Sequence, residues 1–168
     1  MQQEIDEKAA LASIGDVNID PAGLTLAKLN EVLQRPPHDV FRTQRPPMHA
    51  LGWACGGDNC AVIAFFPVPP EIQISPSTAP VELLVTNIGF GKPLQGSVGG
   101  IHLGDSVEKL LDTCRRRGYQ PKDKERRVPW NKDWTIRWYE ENGKITVLAF
   151  FDTADLNRYL PTPKAVAR

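Results

Sequence analysis

Net charge is missing from this sequence: 20 basic and 20 acidic side chains cancel across 168 residues. No long-range field is left to draw in a polyanion or an anionic membrane, so nucleic acid is disfavoured as the main partner. Long hydrophobic runs are missing too. No apolar stretch approaches the roughly 20 residues that a bilayer crossing needs, and no membrane span is expected. The three histidines, His38, His49 and His102, lie in separate segments. No HExxH, nucleophile elbow or paired-carboxylate spacing accompanies them. The sequence therefore gives no catalytic residue, no metal set and no cofactor, and enzymatic activity is not expected. The start, MQQEIDEKAALAS, carries acids where a secretory signal would carry basic residues, and it lacks an apolar core. It reads either as the start of a cytoplasmic protein or as a mature chain without its leader, and the cysteines have to choose between these.

What is present is a folded-protein composition, 41% hydrophobic and 24% charged, with 15 prolines and 13 glycines spread along the chain. That density of turn formers argues for many short elements rather than a helical bundle. The length fits one ordinary domain or two lobes of about 80 residues.

Self-similarity favours two lobes. WACGGDNCAVIAFF, residues 53 to 66, aligns without gaps on WYEENGKITVLAFF, residues 138 to 151. The match places Trp53 on Trp138, Val62 on Val147, Ala64 on Ala149, Phe65 on Phe150 and Phe66 on Phe151. Upstream, GLTLAKL from Gly23 aligns with GDSVEKL from Gly104 in the same order. In the first half Thr25 is placed to cap a helix carrying Leu26, Leu29, Val32 and Leu33 until Pro36 and Pro37 stop it. In the second, Asp105 or Ser106 caps a helix whose stripe is Val107, Leu110, Leu111 and Cys114, and Gly118 ends it.

A hairpin follows each helix. Asn142-Gly143 signals a type I′ turn. Counting outward by strict alternation pairs Glu141 with Lys144, Trp138 with Val147 and Ile136 with Ala149. One face then holds Trp134, Ile136, Trp138, Val147, Ala149 and Phe151 for the helix to cover. The other holds Arg137, Tyr139, Leu148 and Phe150, joined by Ile63 and Phe65 of the first half. These six residues, Ile63, Phe65, Arg137, Tyr139, Leu148 and Phe150, form the expected partner-binding surface, because aromatic, aliphatic and arginine side chains are enriched at interfaces. VELLVTNI, residues 81 to 88, reads as a further strand.

The fold expected is thus α+β, two tandem modules, each with helix packed on an antiparallel sheet. An N-terminal helical segment covers 1–20, the first repeat 21–88, a glycine-rich linker 89–100, the second repeat 101–152 and a tail 153–168. The linker, GFGKPLQGSVGG, fails the phosphate-loop pattern, having no Ser or Thr after Lys92.

Cys55 and Cys60 bracket GGDN, and a turn at Gly57-Asp58 sets them directly across from each other at a spacing that accepts a disulfide. Free thiols are the alternative, and C-x4-C alone is a weak metal signal. A disulfide implies an oxidising compartment, secreted or periplasmic. Cys114 sits beside Arg115, Arg116 and Arg117, which would activate a thiol, but its helical phase makes it a buried structural cysteine. The basic run from Arg115 to Arg127 reads as complementing the helix dipole, with Asp123 and Glu125 neutralising part of it.

The stretches GIHLGDSVEKL, from Gly100 to Leu110, and W-Y-x5-T-V-L-A-F-F, from Trp138 to Phe151, resemble the beta-lactamase inhibitory protein family and the small envelope lipoprotein module of the SmpA/OmlA type. The resemblance implies tandem α/β modules whose sheets form a concave protein-binding surface. It also implies a secreted or periplasmic protein-binding module, of which an enzyme inhibitor is one form. The alternatives are an envelope scaffold or assembly protein and, less favoured, a small-ligand carrier or enzyme. Only the first repeat carries a cysteine pair, and no inhibitor contact residue aligns.

Overall fold

The computed structural model describes residues 17–34, 36–40, 48–56, 59–86, 96–119, 126–130 and 132–153. Two helices form where the sequence places caps. Helix α1, Leu26–Leu33, starts at Thr25, whose hydroxyl accepts the Lys28 N–H at 3.2 Å. It stops at Gln34, in the left-handed region at φ 56°, just ahead of Pro36 and Pro37. Helix α2, Val107–Arg116, starts at Ser106, which accepts from the Lys109 N–H at 3.2 Å. Each cap satisfies a donor that the first helical turn leaves over, an effect of about 1 kcal/mol. Leu26, Leu29 and Leu33 of α1 and Leu110 and Cys114 of α2 are buried. The 3.6-residue spacing made one apolar stripe on each helix, and that stripe faces the sheet.

The strands are β1 (Val17–Ile19), β2 (His38–Val40), β3 (His49–Gly56), β4 (Asn59–Phe66), β5 (Glu82–Thr86), β6 (Gly96–Val98), β7 (Arg127–Pro129), β8 (Trp134–Glu141) and β9 (Lys144–Asp152). β1 and β6 form a small parallel pair. The other seven form one antiparallel sheet in the order β2-β3-β4-β5-β9-β8-β7.

This sheet corrects the expected architecture. The elements do recur in order, β1-α1-β2-β3-β4 and then β6-α2-β7-β8-β9. They do not build two modules with a sheet each. β5 hydrogen-bonds to β4 on one side and β9 on the other, so both hairpins join a single sheet. One connected core takes in Leu29 and Trp53 from the first run and Leu110, Ile136 and Phe150 from the second. The physical cause lies in β5 itself. Leu83 and Val85 are buried on one face, and on the other Glu82 is buried and Leu84 half-buried, which suits a strand paired on both edges inside the sheet better than one at an edge. The described ends of the stretches expected as an N-terminal helix and a linker are strands, β1 and β6, while residues 1–16 and 89–95 lie outside the described residues. Their pairing brings Gly99 against Trp130, where a Cβ would come within 2.5 Å of the ring.

The second hairpin departs from strict alternation. Asn142 and Gly143 both have positive φ, 54° and 75°, as the type I′ turn requires, and Glu141 pairs with Lys144 and Glu140 with Ile145. Between Tyr139 and Glu140 the register shifts, because Thr146 is an extra residue on β9. Its hydroxyl donates to the Tyr139 carbonyl at 3.2 Å. Beyond this bulge Trp138 pairs with Leu148 and Ile136 with Phe150, not with Val147 and Ala149. A one-residue slip exchanges the faces. Ile145, Leu148 and Phe150 enter the core together, and Val147, Ala149 and Phe151 turn to the other side.

Candidate functional site

With both helices seated on one face, the candidate site is the opposite face of the seven-stranded sheet. Cross-strand pairing sets its side chains in rows. One row runs Gly52, Ile63, Leu84, Ala149, Arg137, Arg127 over strands β3, β4, β5, β9, β8 and β7. The row toward one end of the sheet runs Ala50, Phe65, Glu82, Phe151, Thr135, Pro129. Toward the other end lie Thr86, Val147 and Tyr139. Exposure changes across the face. Phe151 and Glu82 are 5% and 6% exposed, whereas Tyr139 is 46% exposed. Ile63, Leu84, Val147 and Arg137 lie between these extremes. Ala149 and Thr135 are also buried, so the open part is the hairpin end of β8 and β9, at Val147, Arg137 and Tyr139, with Ile63 and Leu84 half-buried.

Four of the six expected binding residues lie on this face: Ile63, Phe65, Arg137 and Tyr139. Leu148 and Phe150 do not. Both are 0% exposed in the main core, and Phe150 meets Trp130 edge to face at 6.1 Å. The β9 bulge is the reason, since beyond Thr146 it sends Leu148 and Phe150 inward. Leu84, Val147 and Glu82 occupy the face without having been expected there. Leu84 was findable from the alternation of β5 once its edges were known. Glu82 was signalled by a charged residue standing at the head of an apolar strand.

Arg137 holds its guanidinium over the Tyr139 ring, 5.5 Å from the centroid. Arg127 is its direct cross-strand partner, so two cations stand opposite each other. Arg127 has an interaction of its own, and the other described arginines of the basic run are engaged locally. Arg115 bonds Asp112 at 2.9 Å, Arg116 donates to Thr113 at 3.2 Å, and Arg126 lies 3.8 Å from Glu140. Arg117 stacks 4.0 Å from the Trp130 ring centroid and donates to the Trp130 carbonyl. Asp123 and Glu125 lie outside the described residues.

The titratable groups with displaced pKa values lie away from this face. Burial pushes the Cys114 thiol up to about 11, against the opposing pull of Arg117 and Arg115. The thiol is thus a packed core atom, not an activated nucleophile. Burial also raises Asp105, but the His102 N–H and the Lys109 ammonium outweigh it, and the carboxyl ends below its ordinary value. His49 bridges the Ile72 carbonyl and the Asp39 carboxylate at 2.8 and 2.7 Å, tying the loop after β4 to β2. His38 is exposed on β2. Among the described residues no three His, Cys, Asp or Glu side chains converge, and no described helix is long and apolar enough to cross a membrane.

Cys55 and Cys60 are Cα partners in the β3-β4 hairpin, at the register expected of a bridge. The Cys55 side chain and the turn residues Gly57 and Asp58 lie outside the described residues, so no bridged pair is seen between described side chains and the disulfide stands as a proposal. Cys114 is free. No family profile, no curated protein and no solved structure matches this chain.

Proposed function

We propose that this chain is a protein-binding module that works through the open face of its sheet, with Ile63, Leu84, Val147, Arg137 and Tyr139 at the centre of the contact. One observation carries the reading. The face away from the helices places these side chains as neighbours over four adjacent strands, and it ends in the exposed Tyr139. A face that met only water would be polar. A contiguous apolar patch with a polar rim marks an interaction surface, and tyrosine and arginine are the residues that most often dominate one. The compartment we infer is secreted or periplasmic, and its support is the facing Cys55 and Cys60. An enzyme-inhibiting role is a narrower form of the same reading, supported only by the resemblance of GIHLGDSVEKL and the aromatic hairpin to the inhibitory modules.

The test is capture from envelope extract by immobilised protein, comparing wild type with Tyr139→Ala, Ile63→Asp and, on the helix side, Asp112→Ala. The face variants should retain the fold and lose roughly 5- to 30-fold in recovery of a discrete partner, while Asp112→Ala matches wild type. Equal recovery by all four proteins overturns the assignment.

A further inference from the structure

We infer that His49 and Asp39 form a proton-dependent clasp, which ties the edge strand β2 to the loop after β4 while the pair holds one proton beyond a neutral ring and a carboxylate. The inference stands apart from the open-face reading, because these residues lie on the helix side of the sheet. His49 alternates along β3 with the core residues Leu51 and Trp53 and so shares their face. Asp39 is the cross-strand partner of Leu51 and points to the same side. The ring is 13% exposed and the carboxylate 61%.

The proton count follows from the hydrogen bonds. Nδ1 lies 2.8 Å from the Ile72 carbonyl oxygen, which only accepts, so Nδ1 carries a hydrogen. Nε2 lies 2.7 Å from Asp39 Oδ1. An ionised carboxylate also only accepts, so this bond needs a hydrogen on Nε2 or a proton on the carboxyl itself. In both cases the pair holds one proton more than a neutral imidazole facing a carboxylate. Without that proton, either tautomer sets a bare nitrogen lone pair against an acceptor oxygen, at 2.7 Å on one side or 2.8 Å on the other. The Asp39 side gives way first. Its carboxylate is already largely in water, whereas the Ile72 carbonyl belongs to a turn closed by the Ile72 N–H on the Pro69 carbonyl at 3.0 Å.

Other charged groups on the elements around the ring do not replace the contact. Among the described residues, His38 lies on the opposite face of β2 as the partner of Gly52, Glu71 has no ion pair, and Lys28 and Glu31 of α1 pair with each other at 3.5 Å. What the clasp holds is weakly held otherwise. β2 is a three-residue edge strand paired to β3 alone. The loop is anchored farther on, where the Pro76 and Thr78 carbonyls accept the N–H groups of Ala27 and Leu26 at 2.9 and 3.0 Å. For residues 67–73 the His49 bond is the sole hydrogen bond to a distant part of the chain among the described residues. This stretch carries Ile72, which is 48% exposed. The proton therefore decides whether the edge strand and the loop that displays Ile72 are held as one body or as two.

NMR of the full-length protein tests the clasp between about pH 5 and about pH 8, the span over which an imidazole changes charge. At the acid end the His49 ring should show both N–H groups. Toward the alkaline end the Nε2 hydrogen should be lost, and in the same step water exchange of the His38, Asp39 and Val40 amides, corrected for its intrinsic pH dependence, should rise about fivefold or more. Asp39→Asn should abolish that step, because an amide accepts from a protonated Nε2 and donates to a bare one, keeping the bridge at both ends. His49→Ala should leave the β2 amides fast throughout. A ring with a single N–H at the acid end, corrected exchange that stays level in the wild type, or a step of wild-type size in Asp39→Asn overturns the clasp. Asp39 is an exposed side chain, so its variant decides the matter even where His49→Ala fails to fold.

Discussion

Leu148→Ala and Val147→Ala, made separately, test the bulge that decides which side of β9 lies away from the helices. The two residues are adjacent, and strict alternation from the Asn142-Gly143 turn would put Val147 in the core and Leu148 outside. The structure reverses them. Leu148 pairs with Val85 on one side and Trp138 on the other and is 0% exposed, whereas Val147 pairs with Thr86 and Tyr139 on the open face. Removing three carbons from a fully enclosed leucine loses their transfer free energy and leaves a cavity, about 3 to 5 kcal/mol together. For a chain of this length that is a drop of roughly 6 to 20 °C in Tm. Val147 is half-buried against a flat surface where water can follow the truncation, and its loss should cost less than about 1 kcal/mol. Urea unfolding followed by tryptophan fluorescence measures both, with unchanged m-values showing that the unfolded reference is common. Equal costs, or a larger cost for Val147→Ala, would restore the alternating register. They would return Leu148 and Phe150 to the binding face and remove Val147 from it.

Trp53→Phe should cost about 1 to 2 kcal/mol more than Trp138→Phe, because Trp53 donates to Asn30 at 3.1 Å while the buried Trp138 N–H has no acceptor; the reverse order in denaturant titrations refutes this. Native Cys114 should resist iodoacetamide at about pH 8 and react only after unfolding, since burial holds its thiol near 11; rapid labelling of the folded protein contradicts that. Intact mass without reductant should show one alkylatable cysteine, with Cys55 and Cys60 closing a loop of about six residues that stabilises by about 2 kcal/mol. Three alkylated cysteines would remove both the bridge and the compartment inferred from it. Asp105, held below its ordinary 3.8, contributes stability above that value and loses it as pH falls through the folded value, so the deficit of Asp105→Asn should shrink between about pH 7 and about pH 3. A deficit that grows on acidification is the contrary result.

What was legible in the sequence was local. Thr25 and Ser106 were visible as caps because a hydroxyl before an apolar stripe has a short-range partner three residues on. The Asn142-Gly143 turn was visible because only such residues accept two positive φ values in succession. The Cys55 to Cys60 register followed from counting across a turn. What failed depended on partners distant in the chain. Nothing near VELLVTNI says that β5 will lie between β4 and β9, which fuses two expected sheets into one. The parallel meeting of Val17–Ile19 with Gly96–Val98 joins segments nearly 80 residues apart and leaves no periodic trace in either. The bulge at Thr146 escaped for another reason. Past Thr146 the strand reads VLAFF, apolar on both faces, so alternation had no polar residue with which to detect the change of phase, and a threonine is not a residue that announces a bulge.

That ambiguity of phase bears on function as well as on register. Had alternation held, Leu148 and Phe150 would have stood out beside Ile63 and Phe65, making a thick hydrophobic ridge that a lone soluble chain could scarcely leave uncovered. The extra residue moves Leu148 and Phe150 inward, where Phe150 packs on Trp130, and turns Val147, Ala149 and Phe151 to the other side, where Ala149 and Phe151 are still buried. What stays open on that face is its hairpin end, at Val147, Arg137 and Tyr139. An exposed tyrosine with an arginine stacked on it fits the proposed protein contact better than a small molecule, which gains affinity by being enclosed. The same single insertion that completes the core thus sets the shape of the face on which binding is proposed, and a variant deleting Thr146 should disturb stability and partner capture together.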